Sequence, residues 1–352
     1  AVVALVRAAL DPDPSLLDWG AHVGVLPGCA VFSPPVDAPT LPSLDASVSI
    51  VAIADTARMA EARRIARDAV VTVGTPFTVE WLAGHAPTLP SVSIIVPTYN
   101  NAALLRTCLD ALLQTLPAAF SGEIIVADDA STDDTPAIVE AYAARWPLVR
   151  SVRGDSNGGF VENCNRAAAA ATGEYLVFLN NDALLQAGWL DALLMTFRQH
   201  PNAGIVGGRL LNPDGTLQDA GGIVVPDGTT AVFGADDPAA GHPLYRHVRS
   251  VDYCTGALLM TPRALFERIG GFDRRFAPAY YEDVDYGFAV RAFGYEVLYQ
   301  PESVAVHDAH SSYGDFLARV ADNRAVLIAK WRDLLARLPL LDANPSINVD
   351  RL

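Results

Sequence analysis

The sequence predicts an α/β protein built on a mixed, mostly parallel sheet flanked by helices. Three observations point there. From Val92 onward, short apolar runs alternate with amphipathic stretches of helical length. The runs end in polar clusters, where open α/β sheets place their ligands. A content of 51% hydrophobic and 18% charged residues over 352 positions suits a chain with a substantial core in one large domain or two smaller ones. An accessory α/β segment is expected before this region and a helix after it.

Taken in order, residues 1–90 read as an N-terminal accessory segment or the end of an upstream domain. Residues 48–53 form a strand there, 56–69 a helix and 70–73 another strand, with a proline-bounded linker at 87–90. Residues 92–96 are a strand closed by Pro97. A helix follows, with Asn100 or Asn101 as cap and a stripe of Leu104, Leu105, Cys108, Leu109, Leu112, Leu113 and Leu116. Residues 123–127 are the next strand, and Pro136 opens a helix carrying Ile138, Val139, Tyr142 and Trp146. The alanine-rich run 167–171 makes a helix stopped near Gly173, 174–179 a third strand, and 189–197 another helix. Residues 203–260 read as extended segments and loops. Short helices are expected at 262–269 and 282–293, then a long amphipathic one at 315–338 whose apolar face carries Leu317, Val320, Val326, Leu327, Trp331, Leu334 and Leu335. Residues 339–352 are a tail.

The formal charge of −15 excludes nucleic acid as a partner, because phosphate binding runs on Lys and Arg. An acidic chain that handles an anionic nucleotide needs a divalent cation, Mg²⁺ or Mn²⁺. Cys29, Cys108, Cys164 and Cys254 lie far apart with no CxxC pair, which suggests neither a zinc site nor a disulfide framework and fits a reducing cytoplasm. No apolar run reaches the ~18 residues of a membrane span, so no transmembrane segment is expected. The first residues lack a secretory pattern, and the absence of an initiator Met suggests a processed product or a fragment.

Three strands end in Thr98-Tyr99-Asn100, Asp128-Asp129-Ala130-Ser131 and Asn180-Asn181-Asp182. Singly, Asn100 could cap a helix, Asp128 and Asp129 could form an Asx turn, and Asn181-Asp182 could cap the helix at Trp189. Together they would converge on one crevice. No GxGxxG follows the first strand and no GxxxxGK[ST] occurs, which disfavours dehydrogenases and P-loop NTPases. Asp182 is a hard oxygen ligand for the cation. In Tyr280-Tyr281-Glu282-Asp283-Val284-Asp285, three carboxylates within four residues suit either an acidic helix start or a general base. Asp283 is the candidate base, with Glu282 beside it to orient acceptor or sugar. His307, at the end of an alternating strand, could be structural, solvated or a contact to the metal or a diphosphate.

Val92-Ser93-Ile94-Ile95-Val96-Pro97-Thr98-Tyr99-Asn100 resembles the opening strand of glycosyltransferase family 2, whose members have the GT-A, Rossmann-like fold. Asp128-Asp129-Ala130-Ser131, Asn157-Gly158-Gly159-Phe160, Asn180-Asn181-Asp182 and Tyr281-Glu282-Asp283 follow in the family's order. The stretch from Asp252-Tyr253-Cys254-Thr255-Gly256-Ala257 to Gly270-Gly271-Phe272-Asp273 resembles the bacterial branch that builds O-antigens and other surface polysaccharides, rhamnosyltransferases included. The resemblance covers residues 91–338. It implies a nucleotide-binding half at 91–200, an acceptor and catalytic half at 201–312 and a C-terminal helix at 313–338.

The activity it implies is metal-dependent, inverting transfer of a hexosyl-type sugar. The donor would be a UDP- or dTDP-sugar, and the acceptor a hydroxyl of a glycan or lipid-linked glycan. The implied location is the cytoplasm, with peripheral association at the inner membrane face. Pro97, Tyr99 and Asp129 would contact the nucleoside, and Thr98, Asn100, Asp128, Asn157, Gly159 and Asn181 would lie beside the nucleotide sugar. Asp182 would hold the metal as the last residue of the family's DxD-type motif, with His307 near metal or diphosphate, and Asp283 would be the base. The chain departs from strict DxD at Asn180, leaving one carboxylate where the family often has two. Two alternatives are a sugar-1-phosphate nucleotidyltransferase, whose usual Gly-rich basic loop is missing here, and a non-catalytic sugar-binding module.

Overall fold

A computed structural model of the chain describes five strands between residues 25 and 81, together with residues 90–117, 120–308 and 316–338. The chain divides into two compact units, Ala1–Thr88 and Leu89–Leu352. In the first, β1 (Val25–Leu26), β2 (Cys29–Val31), β3 (Ile50–Ile53), β4 (Ala69–Thr72) and β5 (Thr78–Trp81) form one sheet in that order. Its β2–β3 and β3–β4 pairs are parallel and its outer pairs antiparallel. The helix expected just before β4 and most of the 87–90 linker lie outside the described residues.

The second unit is built on one large sheet. Its order is β10 (Ala183–Leu185), β17 (Glu296–His307), β11 (Ala203–Leu211), β16 (Leu258–Pro262), β9 (Tyr175–Leu179), β6 (Val92–Thr98), β7 (Gly122–Asp128), β8 (Val149–Arg153). β9, β6, β7 and β8 are mutually parallel, as are β11 and β17, while β16 and β10 run against their neighbours. Short strands border it: β12 (Leu217–Asp219) on β11, the hairpin β13 (Gly222–Val224) with β14 (Thr230–Val232), and β15 (Arg249–Ser250) on β17. This is the mixed α/β, GT-A-type architecture expected.

Side chains on a strand alternate between faces, so a strand buried on both sides feeds two cores. Ile94 and Val96 of β6, Ile124 and Val126 of β7, and Val177 and Leu179 of β9 enter one cluster. Ile95, Ile125, Ala127, Leu176 and Phe178 enter the other. The first face is covered by α1 (Ala102–Thr115), α2 (Thr135–Arg145) and α4 (Trp189–Gln199). The second is covered by α3 (Gly159–Ala169), α5 (Arg263–Ile269) and α6 (Glu282–Ala292). On α1, Leu105, Cys108, Leu109 and Leu112 are fully buried, each leucine contributing roughly 1.5–3 kcal/mol. A third cluster joins Val284 and Phe288 of α6 to Leu327 and Leu335 at the C-terminal helix α7 (Phe316–Leu335).

Four elements differ from expectation. β6 continues through Pro97 to Thr98, because pairing with β9 stops at Ile95 and leaves Pro97 a neighbour on one side only. β8 was unforeseen: Val149-Arg150-Ser151-Val152-Arg153 is an edge strand, and its charged residues mask the pattern. α3 starts at Gly159, eight residues before the alanine run, since its polar first turns are held by tertiary bonds. Asn181-Asp182 does not cap α4. β10 intervenes and Gly188 occupies the cap.

Candidate active site

β7 and β8 extend outward from one side of β6, and β9 returns to its other side, so the order reverses beside β6. Such a switch point opens a crevice at the strands' carboxyl ends. Asn181 Nδ2 closes its floor by donating to Thr98 Oγ1 at 2.9 Å. Pro97 and Thr98 are buried, whereas Tyr99 stands at the rim with 37% of its surface exposed. Asn100 is also exposed. It takes a left-handed φ of 50°, and its Oδ1 accepts from Thr132 N at 2.7 Å. Asn101 occupies the cap of α1, its carbonyl accepting from Leu105 N at 2.9 Å, while Asp133 Oδ2 supplies the side-chain acceptor for Ala102 N.

The two aspartates after β7 are turned inward. Asp128 Oδ1 accepts from Ser131 N at 2.8 Å, and its other oxygen is paired with Arg153. Asp129, 2% exposed, accepts from Arg166 at 3.1 Å on one oxygen and from Gly159 N at 2.7 Å on the other. Arg166 also donates to Asn163 Oδ1 at 2.5 Å, so this face of α3 is a polar lock on the strand ends. Asn157 is exposed and its Oδ1 accepts from Gly159 N at 3.1 Å. Gly159 has a φ of 80°, and a Cβ there would stand 2.2 Å from that of Pro278. Asp128, Asp129 and Gly159 therefore shape the crevice wall, while Tyr99, Asn100 and Asn157 reach its opening.

β10 pairs with β17 so that Ala183 faces His307, which brings Asp182 beside that histidine. Asp182 Oδ1 and His307 Nε2 are 3.2 Å apart. Gln218 settles the tautomer. Its amide nitrogen donates to Asn212 Oδ1 and to the His307 carbonyl, so its Oε1 must accept from His307 Nδ1, at 2.6 Å. In the neutral ring Nε2 is then a lone pair, facing a carboxylate oxygen and a donating Asn180 Nδ2 at 3.2 Å. A lone pair and an anion at that distance suit a positive charge between them, a proton or a metal cation. Among the described residues, no cluster of three or more His, Cys, Asp or Glu gathers to hold a metal. This pair would need oxygens from a bound ligand to complete a coordination shell.

Glu282 and Asp283 begin α6. Two consecutive left-handed residues, Tyr280 (φ 79°) and Tyr281 (φ 69°), precede them, a conformation costing about 1–3 kcal/mol at each non-glycine position. Asp283 is half-buried; Oδ1 accepts from Val284 N at 2.8 Å and Oδ2 from Gly256 N at 3.3 Å. Burial raises the Asp283 carboxyl above the usual range. Glu282 is pushed well up by burial and then by the Asp283 charge, so the two carboxyls resist being ionised together.

Sequence reasoning missed one further buried carboxyl. Asp219 of β12 is 5% exposed and accepts from Gly221 N at 2.6 Å. Burial lifts it to about 6, with a further push from Asp283 and an opposing pull from His307. Asp219, Gln218 and Arg166 left no signal in the sequence beyond their residue types, because the contacts that bring Arg166 to Asp129 and Gln218 to His307 span 37 and 89 positions.

Residues 93–246 match the family model described as glycosyl transferase family 2, and this part of the chain is a domain of that family. The chain is 32% identical over 238 residues to the O-antigen biosynthesis protein RfbC of Myxococcus xanthus. That alignment takes in 63% of this chain and 18% of the relative's length. It is 28% identical to an N-acetylglucosaminyl-diphospho-decaprenol L-rhamnosyltransferase of Mycobacterium tuberculosis, across 65% of this chain and 80% of that one. A solved mannosyltransferase of Pyrobaculum calidifontis, in complex with GDP-Man and Mn2+, is similar at a TM-score of 0.50 and 25% identity, over 72% of this chain and 66% of that one. GalNAc-T7, solved with UDP, GalNAc and Mn2+, shares the fold at a TM-score of 0.59 and 16% identity, over 70% of this chain and 50% of that one. No helix among the described residues is long and apolar enough to cross a membrane.

Proposed function

We propose that the chain is an inverting, metal-dependent glycosyltransferase. Its donor is a nucleoside-diphosphate sugar, UDP- or dTDP-linked, and its acceptor a hydroxyl on a glycan or lipid-linked glycan of a bacterial surface polysaccharide. The observation that carries this reading is the Asp182–His307 pair, set at the strand ends of a domain that matches family 2, together with the Glu282–Asp283 pair at the start of α6. The relatives named for O-antigen synthesis and for rhamnosyl transfer support the acceptor class. The Mn2+ in the similar mannosyltransferase supports the cation, and the cytoplasmic membrane face is the location that fits a lipid-linked acceptor.

The nucleoside lies along Tyr99 and Asn100, with Asn157 at the crevice opening and Asp128, Asp129 and Gly159 keeping its wall rigid. Asp182 and His307 would hold Mg²⁺ or Mn²⁺, which when bound neutralises the donor diphosphate. Asp283 accepts the proton of the acceptor hydroxyl while that oxygen bonds to the anomeric carbon. The bond from that carbon to the diphosphate oxygen breaks with its electron pair, and the configuration inverts. Burial serves this step, since a carboxylate with a raised pKa is the stronger base. Glu282, when it holds the proton of the pair, can donate a hydrogen bond to sugar or acceptor.

The test is nucleotide release from a panel of UDP- and dTDP-sugars with Mn²⁺, with and without EDTA. Turnover that EDTA abolishes is expected. Asp283→Asn should remove it, with a loss on the order of 10²–10⁴-fold in kcat and UDP binding near wild type. Full turnover in that variant overturns the base assignment.

A further inference from the structure

We propose that the C-terminal helix α7 is a working part of this active site, with Asn323, Lys330 and Trp331 as positioning residues that hold the turn presenting Asp283. The inference rests on the reading of Asp283 as the base. Its structural half stands independently.

The turn needs an external hold. Residues Phe276 to Tyr281 lead into α6 through two left-handed tyrosines, and their carbonyls have no strand to pair with. Asn323 supplies the partner. It is buried, and its Nδ2 lies 3.1, 3.0 and 2.7 Å from the carbonyl oxygens of Phe276, Ala279 and Tyr280. Three acceptors around one atom fix the orientation of the amide, because the oxygen of Asn323 there would meet only other oxygens.

A second hold acts one turn into the catalytic helix. Asp285, two residues after Asp283, is buried and directs one oxygen to Trp331 Nε1 at 2.7 Å and the other to Lys330 Nζ at 2.8 Å. Lys330 Nζ is also 2.8 Å from Asp273 Oδ2, which ties in the segment before the turn. α7 departs from helical angles at Trp331 itself (φ −115°, ψ 25°), the residue whose indole reaches Asp285. A third hold is indirect. Tyr281 OH donates to the Gly228 carbonyl at 3.0 Å, while Arg324 Nε donates to the neighbouring Asp227 carbonyl at 2.9 Å.

The far side of the turn rests on the donor wall, where Val161 N donates to the Pro278 carbonyl at 3.1 Å and Pro278 fills the space over Gly159. The turn that carries the base is thus clamped between the donor crevice and α7. The polar atoms of Asn323, Lys330 and Trp331 that make these bonds are directed at protein groups. Their effect on the reaction therefore passes through the position of Asp283.

Asn323→Asp tests this on the full chain, since it keeps shape and volume but sets an acceptor against three carbonyls. Lys330→Met and Lys330→Arg form a second, paired test. Hydrogen exchange over residues 277–285 should quicken by about tenfold or more in Asn323→Asp and Lys330→Met, with β6 and β7 unchanged. For a donor the wild type turns over, kcat should fall by roughly 10–100-fold in those two variants, with UDP affinity in Mn²⁺ within about twofold, and Lys330→Arg should stay within about threefold of wild type.

Unchanged exchange over residues 277–285 overturns the proposal. So does a parallel loss of kcat, UDP affinity and protection across the whole sheet, which would mark a merely structural role. Changed exchange with unchanged kcat overturns the catalytic half. If the wild type turns over no donor, the proposed function fails, and exchange alone decides whether α7 holds the turn.

Discussion

Asp219 and Asp182 illustrate how one residue type serves two ends in this crevice. Asp219 is buried and lifted to about 6, against an ordinary value of 3.8. A raised carboxyl pKa means the folded state binds its proton more tightly than the unfolded state. The carboxyl therefore costs stability as pH rises from about 4 to about 6, and the cost stays constant above that. Asp219→Asn should stabilise the protein at pH 8 by an amount on the order of 2 kcal/mol, and by almost nothing at pH 4, read from urea denaturation at both values. An equal effect at both pH values would show that Asp219 is held ionised in the fold. Asp182 faces His307 Nε2, and its test concerns ligand binding. Asp182→Ala should weaken UDP binding about tenfold or more in the presence of Mn²⁺ and leave metal-free binding within about twofold, as calorimetry would read. Unchanged affinity with Mn²⁺ removes it from the metal role.

At the scale of elements, packing at helix starts decides where the chemistry sits. α3 begins on Gly159 because only glycine tolerates both a φ of 80° and Pro278 pressed against it. Gly159→Ala should cost about 2–4 kcal/mol in urea denaturation, combining left-handed strain with a clash of well-packed atoms. A cost below about 0.5 kcal/mol would mean that the 276–281 segment moves aside freely. α6 shows the complement, since its acidic first turn follows the macrodipole rule yet depends on bonds from α7. The stripe on α1 and the alternation of β6 and β7 were readable because each repeats within a few residues. The polar start of α3 was not, because Asn163 donates to Ala127 O and Asn165 to Phe272 O, partners 36 and 107 positions away.

For the whole molecule, the division at residues 88 and 89 is the main feature beyond the family domain. We propose that residues 89–352 fold and bind nucleotide without the first unit. Expressed alone, that segment should unfold in a single cooperative transition and bind UDP in Mn²⁺ within about twofold of the full chain. Loss of cooperative unfolding would make the first unit part of the domain's folding. The matched part of the chain spans 18% of the Myxococcus xanthus protein and 25% of a Sinorhizobium fredii relative.

The sequence alone determined the α/β class, the order of strands and helices from β6 to α4 apart from β8 and β10, and the polar motifs at the ends of three strands. Those signals are local periodicities, and motifs whose order is independent of distance. Tertiary structure decided the rest. It turned Asp128 and Asp129 inward, set Asp182 against His307, buried Asp219, and set Asn323 against the carbonyls of the turn before α6. Each of these is a contact across tens of residues, and the energy of a buried polar group depends on which partner it finds there.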